Sequence, residues 1–160
     1  MLQCFHGGSV VASLASREKF AAIQELIHGA PVFDGIEIRN QVAEAVIQRE
    51  RILSTGLGHG VAVAHGTSRA VDRIVIALGI SPQGIDYDAV DQAPVHLLFV
   101  IINPPEKQVE YLIALAAVTR MVRDAEFRQS LRAGASAEDI EQRICSAFGE
   151  SLKNYDQNVN

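Results

Sequence analysis

Between Arg49 and Thr67 the chain reads RERILSTGLGHGVAVAHGT, and this stretch concentrates groups that can handle an oxyanion. Arg49 offers a planar fork matched to phosphate oxygens. Gly58, Gly60 and Gly66 let backbone N–H groups approach such oxygens closely. Thr55 and Thr67 offer hydroxyls. His65 supplies an imidazole whose ordinary pKa leaves a large neutral, nucleophilic fraction at pH 7. Together they suit an anion that is accepted and released by a histidine, a transfer that needs positioning and charge stabilisation above all. The chain has five histidines. His59, in the same glycine loop, is a candidate helper. His6, His28 and His96 read as structural or solvent-facing. No H-x-x-x-H or H-x-H pair occurs and carboxylates do not cluster around the histidines, so no metal site is expected.

The elements that must hold this segment follow from periodicity. Residues 17–28 read as a helix, with Phe20, Ile23 and Ile27 at helical spacing and Gly29-Ala30-Pro31 as its stop. Residues 38–51 read as a second helix with an Ile38, Val42, Ala45, Val46 stripe. Continuing that stripe places Arg49 inward, with Glu50 and Arg51 turning away. Val61-Ala62-Val63 reads as a short strand, and Ala64 to Thr67 as a turn that carries His65. Residues 73–80 and 95–102 are almost wholly apolar and β-branched, as strands buried on both faces must be. A further edge strand is expected around Ile85-Asp86-Tyr87. Pro104-Pro105 opens a long helix over 106–123, buried through Val109, Leu112, Ile113, Ala116, Ala117 and Met121. Asp124 caps a shorter helix, and Ser136 starts a last one carrying Ile140, Ile144 and Phe148. The expected fold is a three-layer α/β sandwich: a mixed sheet of about four to five strands flanked by helices.

Composition narrows the function classes. The chain has 160 residues, formal net charge −5, 48% hydrophobic and 21% charged residues. A single domain over 1–148, with a polar tail at 149–160, fits that length. The acidic balance argues against coating nucleic acid or an anionic membrane, both of which need a basic surface. No apolar run reaches the roughly 18 residues of a bilayer span, and the N-terminus lacks the basic-then-apolar order of a signal peptide. Cys4 and Cys145 form no CxxC pair and read as free thiols in a reducing, cytoplasmic setting.

The segment from Arg49 to Thr67 resembles the active-site region of the fructose/mannitol-type EIIA proteins of the bacterial sugar phosphotransferase system, including their nitrogen-regulatory relatives. The pattern R-E-x-x-x-x-T-G-(I/L)-G-x-G-(I/V)-A-(I/V)-P-H-G is met at Arg49, Glu50, Thr55, Gly56, Leu57, Gly58, Gly60, Val61, Ala62, Val63, His65 and Gly66. DQAPVHLLF, from Asp91 to Phe99, resembles the family's later strand entry. The likeness spans about residues 17–148. It implies that His65 accepts a phosphoryl group from an HPr-like donor and passes it to an EIIB-like acceptor, or holds it as a signal. It implies that Arg49 steadies the phosphoryl charge, and that no cofactor is used. Two positions depart from the pattern. Ala64 stands where the family has proline before the histidine, and Gln108 stands at the best-aligned position for the family's second histidine. Both suggest reduced activity, and with it an alternative: a non-catalytic regulatory module that contacts a transporter, kinase or transcription regulator.

Overall fold

The computed structural model describes residues 3–158. Five strands are β1 (Val10–Val11), β2 (Gly56–Gly58), β3 (Val61–Thr67), β4 (Val75–Ile85) and β5 (Val95–Asn103). Five helices are α1 (Lys19–Gly29), α2 (Ile36–Ile52), α3 (Gln108–Met121), α4 (Ala125–Arg132) and α5 (Ala137–Asn158). The strands form one sheet in the order β1-β4-β5-β3-β2. The sheet is mixed: β1 with β4 and β3 with β5 are parallel, and the other two pairings are antiparallel.

Two separate cores make the three layers. On one face Val61, Val63, Ile76, Leu78, Phe99 and Ile101 pack against α3 and α5. On the other Ala62, Ala64, Val75, Ala77, Leu98 and Val100 pack against α1 and α2. Alternate residues of β3, β4 and β5 thus serve opposite cores, which is why these strands are apolar without a break. The three-layer α/β sandwich inferred from sequence is the observed architecture.

Several local expectations change. β3 is longer than three residues and includes His65, which therefore sits on a strand rather than in a turn. β4 runs through the Ser81-Pro82-Gln83-Gly84 segment read as a turn, absorbing it as an irregularity in its pairing with β5 between Ile80 and Ile85. The buried side of α3 is Tyr111, Ala114, Ala117, Val118 and Met121. Val109 and Leu112, expected inside, are exposed. Of the segment 149–160, read as a polar tail, residues 149–158 continue α5, with Ser151 and Leu152 buried against the body, and 159–160 lie outside the described residues. Ser151 Oγ donates to the Ala117 carbonyl of α3 at 3.1 Å, and Arg120 donates to the Ser151 carbonyl at 2.8 Å.

Candidate functional site

The middle of β3 is held between two helices on opposite faces. Gly66 is what lets α2 lie so close. A Cβ there would fall 2.9 Å from the Val46 nitrogen and 3.0 Å from the Ala45 carbonyl carbon, both backbone atoms that cannot swing aside. β2 pairs with β3 only at Val61 and Ala62, and Val63 N–H is taken by the Thr55 carbonyl. The outer edge of β3 is therefore free of β2 from His65 onward, and α2 brings Arg49 to this uncovered corner.

His65 is half-buried on the α3 face. Its Nδ1 lies 3.4 Å from the Val63 carbonyl oxygen. A carbonyl can only accept, so this contact places the proton on Nδ1 and leaves the Nε2 lone pair free. Burial is the main cause holding its pKa below the ordinary histidine value; the positive charge of Arg49 acts in the same direction, while the Val63 carbonyl and Glu50 oppose them. The net result favours a neutral imidazole at pH 7, the form that can attack phosphorus. Tyr111 of α3 packs on the ring, with centroids 5.4 Å apart at 36°. Burial pushes the Tyr111 phenol above its ordinary pKa, and the positive charge of Arg49 opposes that rise. Arg49, His65 and Tyr111 thus share one small region of charge and ring surface. The Arg49 guanidinium is steadied by the Leu53 carbonyl, 3.2 Å from Nη1.

The neighbour of Arg49 was misread from sequence. Glu50 faces inward and is 2% exposed. Its carboxylate accepts from Thr55 N–H at 2.9 Å and from the Thr55 hydroxyl at 2.5 Å, and it pairs with Lys19 Nζ at 3.2 Å. Thr55 Oγ1 also lies 3.1 Å from the buried Tyr87 hydroxyl. The core stripe of α2 is Val42, Ala43, Val46, Ile47 and then Glu50, one helical step round from the expected one. This buried knot ties the end of α2 to α1 and to the glycine segment, and so fixes where Arg49 begins.

The candidate residues accordingly separate into groups. His65 and Arg49 come together. Gly66 serves the approach of α2. Thr55 has both its N–H and its hydroxyl committed to Glu50. Thr67 ends β3 two positions past His65, and Gln108 Nε2 lies 3.5 Å from its hydroxyl, an exposed contact at the rim. Tyr111, not Gln108, is the α3 side chain that meets the histidine ring. Gly58, His59 and Gly60 form the turn at the other end of β3. At about 3.3 Å per residue, Val61 alone is roughly 13 Å from His65 along the strand, so His59 is not a neighbour of the imidazole. Tyr111 had a weak signal in the sequence: it is the aromatic that follows Gln108 by about one helical turn, on the same helix.

The family described as "Phosphoenolpyruvate-dependent sugar phosphotransferase system, EIIA 2" matches residues 4–146. A nitrogen regulatory protein of Bradyrhizobium diazoefficiens is 32% identical over 132 residues, covering 82% of this chain and 86% of that one. Among solved structures, the nitrogen regulatory protein IIA-Ntr of Neisseria meningitidis superposes with TM-score 0.76 at 24% identity, over 88% of this chain and 95% of its own. The IIA mannitol enzyme of Escherichia coli, solved in complex with phosphorylated IIB mannitol enzyme, superposes with TM-score 0.70 at 18% identity, over 89% and 99% of the two chains.

Proposed function

This chain belongs to the EIIA type 2 family of the sugar phosphotransferase system, and on that premise we propose that it is a phosphohistidine carrier working through His65. The donor is an HPr-like protein phosphorylated on histidine. Nε2 of His65 attacks the phosphorus in line as the donor's N–P bond breaks. One N–P bond replaces another: the electron pair of the breaking bond returns to the donor imidazole, which leaves neutral because its other ring nitrogen carries a proton, while Nδ1–H of His65 stays on the Val63 carbonyl. Arg49 offsets the charge on the phosphoryl oxygens. The acceptor is a cysteine of an EIIB-like protein or, where the phosphoryl group is kept, a regulatory target that reads it. The reading rests on one observation above all: a half-buried imidazole on a strand edge that β2 leaves uncovered, within the field of the Arg49 guanidinium.

The surface around the site suits protein partners. The two helices that supply Arg49 and Tyr111 also carry exposed apolar side chains close by in sequence, Ile52 and Leu53 at the end of α2 and Val109 and Leu112 on α3. Exposed apolar side chains on the elements that carry a site suit burial by a docking protein. Among the described residues no helix is long and apolar enough to cross a membrane, and we assign the carrier to the cytoplasm, where its donor would be. A regulatory role is the second reading, favoured by the likeness to proteins named nitrogen regulatory.

The test is incubation with phosphoenolpyruvate, enzyme I and HPr, followed by intact-mass measurement. One added phosphoryl mass that is acid-labile and absent in His65→Ala supports the proposal. No added mass, or a mass that survives His65→Ala, overturns it.

A further inference from the structure

The turn between β2 and β3 is built from left-handed backbone, with φ of 90° at Gly58, 55° at His59 and 76° at Gly60. A two-residue hairpin turn of type I′ needs positive φ at both central positions and strongly favours Asn, Asp or Gly. Histidine is among the non-glycine residues that enter the left-handed region more readily, so His59 can fill the first of them. His59 N–H is anchored on the Asp91 carboxylate at 3.0 Å. Its side chain borders two adjoining grooves of about 450 and 340 Å³.

Arg128 borders both grooves as well. Its Nη1 donates to the carbonyls of Val122 at 2.8 Å and Arg123 at 3.0 Å, so its guanidinium is already fixed in place. Arg132, one turn along the same face of α4, lines the larger groove, and Arg123 lines the smaller. Among the described residues neither Arg123 nor Arg132 forms an ion pair. Asp91 is the one carboxylate in the lining, and its oxygens already accept from His59 and Ala93 N–H groups. The α4 N-terminus is capped by Asp124, so attraction for an anion here comes from the guanidinium groups. The smaller groove also has an apolar wall of Leu57, Val61 and Val122.

We propose that these joined grooves are a binding site for a small organic phosphate, distinct from the His65 site and at the opposite end of β3. The phosphate sits at the junction beside Arg128 and His59, within the field of Arg123 and Arg132. The organic part lies on Leu57, Val61 and Val122. Three guanidinium groups against one carboxylate suit a dianion rather than a monocarboxylate, and forked donors suit phosphate oxygens. The proposal does not depend on His65 being a phosphoryl acceptor.

The test is titration of the full chain with phenyl phosphate, inorganic phosphate and phenol, followed by amide NMR. Phenyl phosphate should bind one to one and saturate below about 10 mM, shift resonances around His59 and Arg128, and bind about tenfold more tightly than inorganic phosphate, with phenol not saturating. Arg123→Gln and Arg132→Gln, both at exposed positions, should each weaken it about tenfold. His65→Ala should bind as the parent does. No saturation by about 10 mM, equal affinity in both arginine variants, or loss of binding in His65→Ala would each refute the proposal, the last by placing the anion at the histidine.

Discussion

Replacing Glu50 with glutamine tests whether the buried knot holds the site. The substitution keeps the side-chain volume and removes one charge. It leaves Lys19 without its counter-ion, at a side-chain exposure of 13% against 1% for Glu50. Breaking a buried pair from one side costs about 3–5 kcal/mol, because the remaining charge stays desolvated. Lys19 is partly relieved here: its Nζ lies 5.0 Å from the Tyr87 ring centre and retains some contact with water. That places the expected loss at or below the lower end, about 2–3 kcal/mol. With a urea slope of about 2 kcal/mol per molar, the unfolding midpoint falls by roughly 1 M or slightly more. Adding Lys19→Met to Glu50→Gln removes the stranded charge and should restore at least about 1 kcal/mol relative to additivity. The assay is urea unfolding of parent, both single variants and the double variant, followed by far-UV circular dichroism. A Glu50→Gln midpoint within about 0.25 M of the parent, or a double variant whose loss is the sum of the singles, would show that the pair does not hold α2 in place.

Three shorter predictions concern the same corner. The pKa of His65 lies below the ordinary value chiefly through burial, so phosphoryl acceptance should be flat from pH 8 down to about 6.5 and fall only below it. The linked stability has the matching sign: the unfolded chain takes up the proton first, so this contribution is present above about pH 6.5 and is lost as pH falls through the lower folded value; pH-dependent urea midpoints of parent and His65→Gln measure it. Tyr111→Phe keeps the ring on the imidazole and should preserve transfer, whereas Tyr111→Leu removes the ring contact and should slow transfer about tenfold by loosening His65, as read by single-turnover phosphorylation. Gly66→Ala forces a Cβ against α2 backbone and should cost about 1–3 kcal/mol while displacing Arg49, so stability and transfer rate should fall together.

β4 and β5 were legible because they face a core on both sides, and unbroken apolar runs say so directly; β1 and β2 are too short to show a pattern, and the edge strand expected around Ile85-Asp86-Tyr87 is the end of β4. The phase of α3 was not legible. Val109 and Leu112 are apolar for a reason other than the core, and periodicity cannot tell an apolar residue turned to solvent from one turned inward. Glu50 was illegible for the opposite reason. A carboxylate at a helix end reads as solvated, and its burial depends on Lys19, Thr55 and Tyr87, which the fold brings from three other parts of the chain. His65 and Arg49, which the fold brings into one corner, were singled out through a spaced motif. Tyr111 was missed because the motif directed the search to a histidine-like position three residues earlier. The continuation of α5 was hidden by its polar composition; two buried residues, Ser151 and Leu152, hold that segment against the body.

His65 rises from a strand whose neighbours on one side and helices on both faces are already fixed. A phosphoryl group placed there would sit on a side chain carried by a paired strand packed between helices, not by a loop. The two states of such a carrier would then have nearly the same shape and differ by up to two units of negative charge. A partner that distinguishes them must read electrostatics, and that reading would fade with added salt in a way that a change of shape would not.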